Sequence, residues 1–223
     1  MVDKERARHA IQEFLAALGH EGPQFADTPA RVTDAFADEL LGGHHVDIKK
    51  LILDGSEVSS RSHDAILIDN LKVSTVCPHH LLVAQGKALV AYVPNGRILG
   101  LGTVTKVVDA LCRRLVFQEQ IAGDIVQALM EHAGASGAFC RLQLGHACLS
   151  ARGTHQADAQ VTTWASLGTL SDPTLLETVL GRFLVGDADV KNAQEPALLS
   201  VIDETDEVSQ VHDLPIDEPP QPA

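Results

Sequence analysis

AILIDNLKVSTVCPHHLLVAQGKALVAYV, residues 65–93, is the stretch on which the fold turns. Residues 65–76 and 84–93 read as two strands, the second bounded by the turn signal Pro94-Asn95-Gly96. Between them stands Cys77-Pro78-His79-His80. Cys77 and His80 are three residues apart, so a tight turn can close both onto one ion. A second run, His146-Ala147-Cys148, lies in residues 137–149, which also read as strand. Residues two apart on a strand share a face, so His146 and Cys148 are expected to point the same way.

Together the two runs offer two thiolates and three imidazoles, the donor set zinc prefers, in a chain with four cysteines. If Cys77, His80 and Cys148 bind the ion, the fourth position is open to water. His79 and His146 then stand beside it as acid/base groups, which describes a hydrolytic site better than a structural one. The alternative is that the cysteines are small buried hydrophobes and the histidines ordinary core or surface residues. Both runs occurring in one short chain favours the metal. Cys112, in a helical stretch, and Cys140, in an apolar strand, have no histidine at ligand spacing and are expected in the core.

Working outward, residues 3–18 have helical periodicity, with Ile11, Phe14, Leu15 and Leu18 on one face and Gly19 as a stop. Thr28 is expected as an N-cap with Pro29 at the first helical position, opening a helix that ends at Gly42-Gly43. Residues 104–133 form a long helical stretch broken near Leu115–Gln118. Residues 158–166 return to strand, and a short amphipathic helix runs from Pro173 to Phe183. Strands, then paired helices, then strands predict an α+β class. The organisation expected is an N-terminal helical segment (1–50), a main domain (51–185) and an acidic tail (186–223). The tail is too polar and proline-rich to build a core and is expected to be disordered.

Net charge is −13, but it is unevenly spread. From Asp187 onward ten acidic residues face Lys191 alone, which leaves the remainder at about −4 and able to hold a local anion pocket. This balance argues against a nucleic-acid partner. No apolar run approaches eighteen residues and no positive-apolar leader opens the chain, so neither a membrane span nor a signal peptide is expected. Free thiols beside histidines suit a reducing, cytoplasmic setting.

The segment Ser74-Thr75-Val76-Cys77-Pro78-His79-His80 is followed by Gly86-Lys87-Ala88-Leu89-Val90-Ala91-Tyr92-Val93-Pro94. Then come Gly100-Leu101, Arg113-Arg114-Leu115-Val116-Phe117-Gln118-Glu119, and His146-Ala147-Cys148-Leu149-Ser150-Ala151-Arg152-Gly153. From about Asp27 to about Arg182 the order and spacing resemble the GTP cyclohydrolase I family. That resemblance implies a tunnelling fold, in which two antiparallel hairpins flank a helix pair and subunits join edge to edge. It also implies a homo-oligomer, typically a decamer, whose closed rings leave no strand edge exposed.

The activity implied is opening of the guanine imidazole ring of GTP, releasing formate and leading to 7,8-dihydroneopterin triphosphate in folate and pterin biosynthesis. Water must attack C8, a poor electrophile. Zinc lowers the pKa of bound water from about 15.7 to near 7, and a histidine can protonate the ring nitrogen near neutral pH. On the family pattern Cys77, His80 and Cys148 ligate Zn2+, while His79 and His146 exchange protons. Gln118 and Glu119 would recognise guanine, because a carboxylate accepts from N1–H and the 2-amino group and adenine offers no such pair. Arg152 and Arg31 match phosphate-binding arginines, and Leu101 and Lys106 fall in substrate-binding runs.

The phosphate end departs from that pattern. Asp34 stands where a lysine is usual, and Gly-Leu-Ser-Lys becomes Gly100-Leu101-Gly102-Thr103. Lys106 and Gln120 occupy positions where arginines are usual, and Pro78 replaces a glutamate. Three readings follow: a working GTP cyclohydrolase I, a cyclohydrolase for a related purine nucleotide with fewer phosphates, or a non-catalytic zinc-binding paralogue.

Overall fold

A computed structural model describes residues 2–59 and 64–184. The expected acidic tail, 186–223, lies outside the described residues. The chain opens with α1 (Lys4–Ala17), capped by Asp3, whose carboxylate accepts from Arg6 N, and ended by Gly19 at φ 78°. Then come α2 (Thr28–Asp34), continued by a π-helical turn over Ala35–Leu40, and α3 (Ile48–Asp54). Strands follow: β1 (Ser56–Val58), β2 (Ile66–Val76), β3 (Val83–Val93) and β4 (Arg97–Leu99). The helices α4 (Leu101–Cys112) and α5 (Gln118–Ala133) lead to β5 (Gly137–His146) and a single turn, α6 (Ala147–Ser150). The described chain ends with β6 (Val161–Gly168) and α7 (Pro173–Leu184).

The centre is a four-stranded antiparallel sheet in the order β2-β3-β5-β6. Two hairpins thus flank the α4–α5 pair, the α+β arrangement anticipated for a tunnelling-fold subunit. Alternation sorts the sheet's side chains. Ala88, Val90, Tyr92, Cys140 and Leu142 face Val104, Val107, Leu111, Ile121 and Ile125 of the helix pair in one core. Leu89, Ala91 and Phe139 point to the other face and are covered by Leu170 and by Leu176, Val179 and Leu180 of α7. Because both faces of β3 are covered here, residues 88–92 read as an unbroken apolar run. Cys112 and Cys140 lie in the helix-side core, as their lack of ligand-spaced histidines implied. Burial pushes the Cys112 thiol up to about 12 and moves Cys140 in the same direction.

A second, two-stranded sheet of β1 and β4 pairs Ser56–Val58 with Arg97–Leu99. It is fixed by the buried Tyr92 hydroxyl, which accepts from Leu99 N at 3.1 Å.

Two details differ from expectation. Asp27, not Thr28, occupies the N-cap of α2, and its carboxylate accepts from Arg31 Nη2 (3.2 Å) rather than from the helix's own amides. The strand predicted to reach residue 149 ends at His146. The β5–β6 pairing stops at Leu144–Val161 and the β3–β5 pairing at Ala84–His146, and without a partner the chain turns into α6.

The break between α4 and α5 is zipped to the N-terminal helices. Gly43 N donates to Arg113 O (3.0 Å), Arg114 Nε to Gly43 O (3.2 Å) and Leu115 N to His44 Nε2 (2.9 Å). The backbones approach so closely that a β-carbon on Gly43 would lie 1.9 Å from Ala110 O. Gly43→Ala is therefore expected to lower stability by about 2–3 kcal/mol through overpacking. Urea unfolding checks this, and an unchanged midpoint would show that the contact is not tight in solution.

Candidate metal centre

Val76 pairs with Val83, so residues 77–82 form the tip of the β2–β3 hairpin. Cys77 N donates to Leu82 O and Leu81 N to Cys77 O, both at 2.9 Å. Leu81 takes a left-handed backbone (φ 54°), which costs a residue with a β-carbon about 1–2 kcal/mol. This closure folds the tip back on itself, so that Cys77 Sγ lies 3.8 Å from His80 Nδ1 and 3.9 Å from His79 Nδ1.

Strand β5 runs antiparallel to β3 and delivers His146 opposite Ala84, and the turn of α6 then presents Cys148. Cys148 Sγ is 4.0 Å from His146 Nδ1. The expected sharing of one strand face does not hold for this pair, because Cys148 has left the strand. The helical turn serves the same end: one donor atom each from Cys77, His80 and Cys148 falls within 4.8 Å of the others. Two soft sulfurs and an imidazole at that separation suit a zinc-like ion, so these three side chains could hold a metal. Burial and the neighbouring Cys77 raise the Cys148 thiol above its usual range, and the charge of Arg152 opposes that rise.

His79 sits at the lip with its ring centroid 5.1 Å from that of Phe117. His146 is half-buried, and burial pulls its pKa down against the charge of Glu119. Its Nε2 lies 2.6 Å from Oε1 of Gln118, the first residue of α5. Gln118 is itself buried, and its Nε2 donates to Val161 O (2.9 Å) and Thr163 Oγ1 (3.2 Å) on β6. Five sequence-flagged residues thus converge with Gln118. Phe117, which lies in the family-matching run without an assigned role, joins them with Val161 and Thr163. For Val161 no signal existed, since only its carbonyl takes part.

The remaining predicted residues are less tightly drawn in. Glu119 is exposed and lines a cavity of about 460 Å3 between α5 and β6, together with Gln120 and Asp124. Arg152 is exposed just beyond α6. Leu101 and Lys106 are exposed on α4, and among the described residues no hydrogen bond or ion pair links either to the cluster. Arg31 pairs with Asp27, both largely exposed. Asp34 is held by Lys4 Nζ (3.1 Å) and Arg8 Nη2 (3.6 Å) of α1. Thr103 donates from Oγ1 to Gly55 O at 3.1 Å, packing the start of α4 against the end of α3.

The family model for GTP cyclohydrolase I matches residues 7–183 of the chain. The chain belongs to the GTP cyclohydrolase I family. Among curated members, GTP cyclohydrolase 1 of Campylobacter lari is 33% identical over 168 residues, covering 74% of this chain and 87% of the relative. GTP cyclohydrolase 1 of Campylobacter jejuni subsp. doylei is 36% identical over 168 residues, with the same coverage of each chain. A solved structure described as the archaeosine synthase QueF-Like in the apo form is 18% identical, with TM-score 0.39 over 48% of this chain and 97% of that one. That last likeness adds nothing to the assignment. The family's zinc chemistry agrees with the donor set that the two hairpins bring together.

Proposed function

We propose that the protein catalyses hydrolytic opening of the guanine imidazole ring of GTP, releasing formate and forming 7,8-dihydroneopterin triphosphate. One observation carries the reading. In a chain of this family, Cys77, His80 and Cys148 bring one donor atom each within 4.8 Å of the others and could hold a metal, with two further histidines at the edge of the triangle. A structural site has no use for His79 and His146. When bound by these three residues, a zinc ion supplies the Lewis acidity that makes water a competent nucleophile near neutral pH.

The chain's own groups do the rest. His79 and His146 flank the donor triangle and exchange protons with the purine nitrogen and the departing formyl group. Glu119, exposed at the head of α5, reads the N1–H and 2-amino face of guanine, and Arg152 takes phosphate through paired N–H donors. Arg31, Lys106 and the backbone around Leu101 complete the substrate contacts in an assembly of several subunits, a decamer on the family pattern. The domain division at residues 50 and 185 and a cytoplasmic setting, where Cys77 and Cys148 stay reduced, belong to the same reading. Among the described residues no helix is long and apolar enough to cross a membrane.

A second reading, a purine nucleotide with fewer phosphates, is favoured by Thr103 and Asp34. Both stand where lysines are usual and both are engaged within the chain. The Lys4 and Arg8 partners of Asp34 offset its charge, so repulsion of a triphosphate is softened. Formate release from GTP, GDP, GMP and guanosine, with mass spectrometry of products, decides between them. Turnover of GTP to the triphosphate product is expected. Faster turnover of a shorter nucleotide would favour the second reading. No formate from any of them, with metal bound, would overturn both.

A further inference from the structure

Gln118 is buried at the start of α5, and its side-chain amide is fixed from both ends. Val161 O can only accept, so the group 2.9 Å from it must be the NH2 of Gln118. Thr163 Oγ1 completes the lock: it accepts from the same NH2 at 3.2 Å and donates to Gln118 O at 3.5 Å. That leaves Oε1 facing His146 Nε2 at 2.6 Å. An amide oxygen cannot donate, so the hydrogen in this contact belongs to the imidazole.

From this chain of donors we infer that Gln118 is a positioning residue, which holds His146 as the Nε2–H tautomer with the free lone pair of Nδ1 turned toward the metal triangle. The ring's other nitrogen agrees with this, since Nδ1 lies 4.0 Å from Cys148 Sγ. Nε2–H persists whether the ring is neutral or charged. Guanine recognition then rests on Glu119, because both polar atoms of the Gln118 amide are already committed. The anchor reaches across elements, from the first residue of α5 to the start of β6, so it sets the angle of the imidazole as well as its tautomer. The role in turnover rests on the proposed cyclohydrolase reading, whereas the tautomer does not.

The test has two arms. Magic-angle-spinning NMR of uniformly 13C,15N-labelled, zinc-loaded protein, with His146 assigned by sequential correlation, is expected to show a protonated Nε2 and an unprotonated Nδ1 in the neutral ring. A neutral His146 protonated at Nδ1 would overturn the inference. This arm needs neither a variant nor a known substrate, so it stands even if GTP is not turned over. In the second arm, Gln118→Leu is expected to lower kcat for formate release by about 10- to 100-fold with KM for GTP little changed, as for groups that orient a catalytic imidazole. A raised KM with unchanged kcat would show that Gln118 reads guanine instead, and would also overturn the inference.

Discussion

Cys148→Ser is expected to abolish stoichiometric metal binding. The triangle of Cys77, His80 and Cys148 has three protein donors, and Cys148 supplies one of its two sulfurs. Removing groups that only orient a ligand typically weakens metal affinity 10- to 100-fold, so loss of a ligand itself should cost at least about 100-fold. Metal content after gel filtration checks this directly. A second readout follows from linkage. An ion that binds only the folded chain raises its stability, so a chelator should lower the melting temperature of the natural protein and leave Cys148→Ser unmoved. The substitution should not disturb the core, because Cys148 sits on the short α6 turn outside both buried clusters. Full metal content in Cys148→Ser would show that the three side chains do not act as one site.

His79→Ala is expected to behave in the opposite way: metal retained, formate release down by about 10²- to 10⁴-fold, the range of a lost general acid or base. His79 is exposed at the hairpin tip, where its ring rests near Phe117. Its removal empties no core position. The ligand His80 lies beside it in sequence, but the backbone bonds that close the tip, Cys77 N to Leu82 O and Leu81 N to Cys77 O, involve neither side chain. Unaltered turnover would remove His79 from the mechanism, and loss of the metal would make it structural.

Much of this architecture was legible because its physical causes are local. The β2–β3 hairpin announces itself by two apolar runs around a proline-containing turn. The α4–α5 break, expected near Leu115–Gln118, falls at residues 113–117. The metal triangle was legible because ligand spacing and donor chemistry are printed in the residues. Cys148 was harder. A spacing of two satisfies both a strand face and a helical turn, and only the end of strand pairing at Leu144 and His146 chooses between them. The helix α3 and the three-residue strands β1 and β4 are too short for periodicity to reveal. Gln118 was identified by type and register, but its bonds to a backbone carbonyl and a hydroxyl 43 and 45 residues away have no sequence signature. Asp34 shows the converse. As a sequence departure it suggests lost phosphate binding, while its contacts with Lys4 and Arg8 give it a partner in the fold.

The way α1 is attached sets it apart from everything behind it. None of its residues is buried, and it is tied to α2 and the π-helical turn by Lys4 and Arg8 reaching Asp34 and Asp38. Ionic links at the surface weaken as salt rises, since the screening length falls from about 10 Å at 0.1 M to about 3 Å at 1 M, whereas the apolar core under the sheet does not respond in that way. Residues 4–17 are therefore expected to be more sensitive to the ionic strength of the surroundings than the hairpins that carry Cys77 and Cys148.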